Sequence, residues 1–123
     1  MVSTGPLIAV IDDDESFRVA LLEALSSLGY GARGFASAEE FLAGDGTEPY
    51  HCVITDIHMP GMNGFDLKRR LFAHGSGLPV IMTTADAEPG LDARAAAIGA
   101  VCLLRKPFEA DAMTACLERA LKV

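Results

Sequence analysis

The sequence predicts an α/β fold in which one parallel sheet carries helices on both faces. Three observations predict it. Five short apolar runs rich in branched residues alternate with five segments of helical period. Most of these runs lack polar/apolar alternation, as strands buried on both faces do. Glycine, proline and small polar residues punctuate most of the changes of period. The 123 residues, half of them apolar, amount to one domain with a sizeable core and exclude a disordered chain. No internal repeat, low-complexity tract or linker divides it, so residues 1–6 read as a tail and residues 7–123 as the domain.

The elements follow in order. The first strand is the apolar run Leu7–Ile11. Residues 16–28 form a helix with Phe17, Leu21, Leu25 and Leu28 on one stripe, Asp14 or Ser16 as its cap, and Gly29 just past its end as the stop. Residues 30–35 make a weaker second strand. Ser37, with Glu40 three residues on, opens a short helix over Ala38–Leu42. Residues 44–49 are a loop, residues 52–55 the third strand, and residues 63–73 a helix bearing Leu67, Leu71 and Phe72. After the loop at residues 75–77 come a fourth strand at 80–83 and an alanine-rich helix at 91–98, closed by Gly99. A fifth strand at 101–104 leads to a helix at 109–122, with Met113, Cys116, Leu117, Ala120 and Leu121 inward.

Composition narrows the function. Seventeen acidic residues against ten basic ones give a net charge of −7, which argues against a nucleic-acid-binding surface within this chain. The three cysteines, Cys52, Cys102 and Cys116, are odd in number and widely spaced among apolar neighbours. They read as reduced core residues of a cytoplasmic protein, with neither a zinc pattern nor a disulfide framework. No basic residue precedes Arg18, and the apolar run before it is far too short for a signal peptide or a membrane span.

In open parallel sheets the ligand lies beyond the carboxyl ends of the strands. After the first strand stand Asp12, Asp13, Asp14 and Glu15. Helix capping and the preference for acids in a first turn account for Asp14 and Glu15, and leave Asp12 and Asp13 without a structural duty. After the third strand stands Asp56. If that strand lies beside the first, three carboxylates share one crevice. Two like charges about 5 Å apart repel by roughly 3 kcal/mol at an effective dielectric near 20, so a fixed cation is expected. An all-oxygen, partly solvated, strongly anionic site suits magnesium rather than zinc. The fourth strand ends in Thr83-Thr84-Ala85 and the fifth in Arg105-Lys106-Pro107-Phe108. Singly, a strand-end threonine is a strand former and a lysine is solvated surface. Jointly they add a hydroxyl and an ammonium to the edge that carries the acids.

Ile11-Asp12-Asp13-Asp14, Asp56 with Met59-Pro60 and Gly64, Thr84-Ala85 and Lys106-Pro107 together resemble the receiver domain of two-component response regulators, the CheY-like family. The resemblance covers about residues 7–121. It implies a flavodoxin-like five-stranded parallel sheet in the order 2-1-3-4-5 with five helices. It implies Asp56 as phospho-acceptor and magnesium held by Asp13, Asp56 and the backbone carbonyl of His58, with Asp12 acting through water. Thr84 and Lys106 would bind the phosphoryl oxygens, and the Lys106-Pro107 bond would be cis. The partner implied is a sensor histidine kinase or phosphotransfer protein, the chain catalysing only its own phosphorylation and dephosphorylation.

Physical chemistry agrees with that reading. A carboxylate is a weak nucleophile, yet it accepts a phosphoryl group from a high-energy donor through a loose in-line transition state, where charge placement is most of the catalysis. Where the family carries an aromatic on the fifth strand, three residues before the lysine, this sequence has Leu103, a core-filling residue that departs from the aromatic version of the switch. His58 and Asp86, two positions after Asp56 and Thr84, flank the site where the resemblance implies tuning of dephosphorylation.

Three other readings compete. An aspartyl-phosphate hydrolase would need a second Asp where His58 stands. A flavodoxin-type FMN binder would meet repulsion from residues 12–15. A receiver-like interaction module that works without phosphorylation would be marked by loss of the acceptor, acidic pair or lysine, all present here. The stretch at residues 35–42 and Lys106-Pro107-Phe108 resemble receivers of LuxR/FixJ-type regulators, a hint of a DNA-binding parent. With Val123 directly after the last helix, no effector domain is expected in the chain itself, which leaves a single-domain regulator or an excised receiver. The family's usual partner surface corresponds to residues 91–121, where a second copy of the chain or another partner would dock.

Overall fold

Branched, apolar strand residues find burial on both faces only in the centre of a three-layer fold. The computed structural model, which describes residues 5–44 and 49–122, has that architecture. The elements are β1 (Leu7–Ile11), α1 (Glu15–Ser27), β2 (Gly31–Phe35), α2 (Ala38–Leu42), β3 (Cys52–Asp56), α3 (Gly64–Ala73), β4 (Val80–Thr84), α4 (Leu91–Ala97), β5 (Cys102–Arg105) and α5 (Ala110–Leu121). The strands are parallel and ordered β2-β1-β3-β4-β5, so the winding reverses between β1 and β3. Asp12 and Asp56 therefore leave adjacent strands on the same edge.

Strand alternation divides the core in two. Ala9, Ile11, Val53, Val80 and Met82 pack with Phe65, Leu67 and Leu71 of α3 and with Leu91 and Ala95 of α4. Ile8, Val10, Cys52, Ile54, Ile81 and Leu104 pack with Leu21 and Leu25 of α1 and with Met113, Cys116 and Leu117 of α5. Side chains two apart on a strand share a face. Continuing the second set past the strand ends puts Asp12, Asp56 and Lys106 on the α1/α5 side.

The structure sharpens several boundaries. β3 and β4 each run one residue further than expected, taking in Asp56 and Thr84, because both residues still sit in register with a neighbouring strand. β2 begins at Gly31 and β5 is shifted by one residue, to Cys102–Arg105. α1 is capped by Asp14, whose Oδ1 accepts the Phe17 amide at 3.2 Å, and not by Ser16. Ser37 caps α2 as expected, accepting the Glu40 amide at 3.0 Å, but the Glu40 carboxylate reaches the Ala36 amide at 3.1 Å instead of returning to Ser37.

Two residues placed on helical stripes face solvent. Leu28 is 47% exposed, since it is the C-cap of α1, where the chain turns away through Gly29. Phe72 is 76% exposed, one position past Leu71 and so rotated off the buried face of α3. The expected loop at 44–49 lies outside the described residues at 45–48, as do residues 1–4 of the tail and Val123. Cys52 and Cys116 are buried and Cys102 partly so, and all three are free thiols.

Candidate functional site

Each expected site residue lies at the C-terminal edge of the sheet or within two residues past it. Asp12 follows β1 and is 1% exposed; its Oδ1 accepts the Asp14 amide at 2.9 Å, which turns the chain into α1. Asp13 is exposed. Asp56 ends β3 at 8% exposure. One carboxylate oxygen from each of Asp12, Asp13 and Asp56 lies within 4.8 Å of the other two. The three acids anticipated in one crevice are thus together, and their oxygens can converge on a single ion.

Lys106 is drawn into the same crevice. Its Nζ donates to Asp12 Oδ2 at 2.8 Å and lies 3.5 Å from Asp56 Oδ2. The ammonium also rests 4.1 Å from the centre of the Phe17 ring, which stands edge-on to Phe108 at 5.9 Å. The ring adds a cation–π contact and keeps water from one side of the charge. Sequence reasoning took Phe17 only as part of the α1 stripe, and its spacing carried no signal of this second duty. The Lys106-Pro107 bond is cis.

The electrostatics follow from burial and from these neighbours. Desolvation pushes the Asp56 carboxyl above its ordinary range, and the negative charge of Asp12 adds to that; Lys106 and the His58 backbone amide pull it down without restoring it. For Lys106, burial disfavours the charged form, but the hydrogen bond to Asp12 and the fields of Asp56 and Asp12 outweigh it and hold the ammonium above its usual value. The site keeps its lysine charged while the Asp56 carboxylate is under-solvated.

The loops around the crevice are held by backbone contacts. Asn63 accepts the Asp66 amide at 2.8 Å and Asp66 accepts the Asn63 amide at 3.3 Å, a capping box that fixes the start of α3. Sequence reasoning read Asn63 as helix, although Asn followed by Asp at the third position was the available signal. Gly64 then lies so close under β3 that a Cβ there would stand 2.7 Å from the Asp56 carbonyl oxygen. Only glycine allows that approach. From α2, Glu39 accepts the Met62 amide at 3.0 Å, a hydrogen bond that lowers its carboxyl below the ordinary value.

Thr84 is fully buried, and its hydroxyl oxygen accepts the Asp86 amide at 3.0 Å, which leaves its O–H free to donate. The Lys106 amide donates to the Thr84 carbonyl at 2.8 Å, tying the ends of β4 and β5. His58 and Asp86 face each other across the two loops, Nε2 to Oδ2 at 3.6 Å, both about half exposed. Leu103 is partly buried against the α3/α4 side of the core. Thr83, the register partner of Asp56, has a buried hydroxyl with no hydrogen-bond partner among the described residues. A cavity of about 840 Å³ beside Phe35, Phe41, Tyr50 and Leu71 is lined by none of these site residues.

Known proteins resemble this chain in sequence and in fold. The family model described as response regulator receiver domain matches residues 8–118. The transcriptional regulatory protein FixJ of Bradyrhizobium diazoefficiens is 38% identical over 98% of this chain, which spans 59% of that protein. The C4-dicarboxylate transport transcriptional regulatory protein DctD of Rhizobium meliloti is 37% identical over 97% of the chain, which spans 26% of its length. Among solved structures, FixJ-N superposes with a TM-score of 0.88 at 30% identity, covering 97% of this chain and 95% of the other. Vibrio cholerae chemotaxis protein CheY4 superposes with a TM-score of 0.86 at 27% identity, over 96% and 100% of the respective chains.

Proposed function

This chain belongs to the response regulator receiver domain family, the phospho-accepting domains of two-component signal transduction, and we propose that Asp56 is its phospho-acceptor. The observation that carries the reading is the convergence of Asp12, Asp13, Asp56 and Lys106 on one crevice at the winding reversal. The donor set is all oxygen, anionic and open to solvent through Asp13, which fits magnesium. Asp12, Asp13, Asp56 and the backbone carbonyl of His58 would hold the ion. When bound, magnesium supplies the positive charge that lets an anionic phosphoryl group approach three carboxylates.

The chain's own groups do the rest. An Asp56 oxygen forms the new O–P bond while the N–P bond of a phosphohistidine in a sensor kinase or phosphotransfer protein breaks, and the departing imidazole nitrogen takes up a proton. Lys106, held on Phe17, offers its ammonium to a phosphoryl oxygen. Thr84, whose hydroxyl hydrogen is uncommitted, donates to another. These are charge-assisted hydrogen bonds, stronger than neutral ones in a part-buried site. Moving Thr84 and Lys106 onto phosphoryl oxygens shifts the loops they anchor and biases the surface at residues 91–121. Water later cleaves the acyl phosphate, so the domain acts only on its own phosphoryl group and is no enzyme toward other substrates.

The same reading implies a cytoplasmic protein, as two-component receivers are. It also makes this receiver either a stand-alone regulator or the receiver part of a transcriptional regulator like the relatives above, with a second copy of the chain or an output partner docking at residues 91–121. Intact-mass measurement after incubation with acetyl phosphate and magnesium tests the acceptor. One phosphoryl adduct is expected on the wild type and none on Asp56→Asn; a persistent adduct on the variant overturns the assignment. For docking, a beryllofluoride-treated sample is expected to elute earlier from a size-exclusion column, and an unchanged volume at high protein concentration counts against self-association.

A further inference from the structure

Among the described residues, five polar side chains are buried: Asp12, Thr55, Asp56, Thr83 and Thr84. Four of them have partners. Asp12 accepts from the Asp14 amide and from Lys106, and Thr55 donates its hydroxyl to the Asp56 carbonyl oxygen at 3.1 Å. Asp56 faces Lys106 at 3.5 Å, and Thr84 accepts the Asp86 amide. The fifth, Thr83, is 1% exposed, and its hydroxyl is the buried side-chain atom left without a partner among the described residues. A buried, unbonded hydroxyl costs stability, and valine would fill nearly the same space without that cost. Packing alone therefore gives no reason for a threonine here.

The position of Thr83 does give one. It lies two residues past Ile81 on β4, so it shares the α1/α5 face with Ile81, Asp56 and Lys106. On that face it stands between two register partners, Asp56 on β3 and Leu104 on β5. Leu104 has nothing polar to offer. Neighbouring strands are about 4.8 Å apart, so the Thr83 and Asp56 side chains are adjacent, and a turn between staggered χ1 wells carries the hydroxyl toward the carboxyl.

We propose that Thr83 is a second hydroxyl donor at the acceptor, distinct from Thr84: in the phosphorylated state its O–H bonds the Asp56 carboxyl oxygen that carries no phosphorus. This rests on Asp56 being the phospho-acceptor. In the resting site Lys106 stands beside the Asp56 carboxyl. Once the ammonium turns to a phosphoryl oxygen, the carboxyl loses that neighbour, and Thr83 is the hydroxyl next to it across the sheet. A carboxyl oxygen that also binds magnesium keeps a second lone pair for this bond. Solvent competes little for it, because Asp56 is buried. The hydroxyl is thus unbonded in the resting protein and satisfied in the phosphorylated one, which shifts the balance toward the latter.

Beryllofluoride, whose beryllium bonds an Asp56 oxygen in place of phosphorus, reads that balance in a calorimetric titration of the full chain with magnesium saturating. Thr83→Val is expected to bind it about 3- to 10-fold more weakly than the wild type, the worth of one hydrogen bond. Its Tm in chelator is expected to hold or rise, because the resting hydroxyl has no partner to lose. Thr83→Ser, which keeps the O–H, is expected to recover most of the affinity. Wild-type affinity in Thr83→Val, a loss that Thr83→Ser shares in full, or a loss accompanied by a lower Tm in chelator overturns the proposal. A wild type that takes up no beryllofluoride, or an Asp56→Asn variant that binds it equally well, overturns instead the acceptor reading beneath it.

Discussion

Desolvation holds the Asp56 carboxyl above its ordinary value, ahead of the opposing field of Lys106. A carboxyl raised in this way contributes stability below its unfolded value and loses it as pH rises through the folded one, so at neutral pH its charge is a liability in the metal-free protein. Asp56→Asn is therefore expected to raise Tm in the presence of a chelator, and magnesium to narrow the gap by stabilising only the wild type; thermal denaturation with and without the ion checks both. Lys106 behaves oppositely. Its folded value is raised, so its stability is complete below the usual lysine range and is lost only as pH climbs through the raised value. Lys106→Met should lower Tm at neutral pH. It should also slow phosphorylation by acetyl phosphate roughly 10- to 100-fold, because one hydrogen bond to a charged group is worth about 1.5–3 kcal/mol. The site residues were legible in sequence because each follows an apolar run, where a charged or hydroxyl side chain has no core duty. Their pairings were not: the Asp12–Lys106 contact joins residues 94 apart, and the Phe17 ring beneath Lys106 comes from tertiary packing alone.

Capping and close approach fix the elements that hold the crevice open. Asn63→Ala removes one side of the α3 capping box and is expected to cost about 1 kcal/mol in urea denaturation. Gly64→Ala should cost more, since its Cβ meets backbone, the Asp56 carbonyl oxygen, and α3 must move away from β3 to relieve the contact. If the two variants rank in the opposite order, the close approach of α3 to β3 is not what positions Asp56. All ten elements were visible as alternating period, with ends shifted by at most one residue. Those shifts have physical sources. Strand ends extend while a neighbour still offers register partners, as at Asp56 and Thr84. Helical stripes stop being buried where the helix outruns the sheet or turns from it, as at Leu28 and Phe72. The α2 cap shows the same limit: Ser37 and Glu40 announce a capping box, but local geometry sends Glu40 to Ala36.

For the whole molecule, part of the net charge of −7 acquires a location. Three of the acids share one crevice, where Lys106 offsets them in part. The core adds a pH limit at the opposite end of the scale. Burial pushes the Cys52 and Cys116 thiols up to about 12, so they stay neutral in the fold while the unfolded chain ionises. Their contribution is complete below the ordinary thiol value of 9.0 and is lost as pH rises toward 12; denaturant midpoints measured across that window should fall, and less so in Cys52→Ala. The most direct test of the central claim, that this crevice binds magnesium and carries a phosphoryl group on Asp56, is borohydride reduction of the acetyl-phosphate-treated protein followed by peptide sequencing in a mass spectrometer. The account predicts homoserine at position 56 with magnesium and at no position when the ion is chelated. Homoserine at another aspartate, or equal conversion at position 56 with and without magnesium, would contradict it.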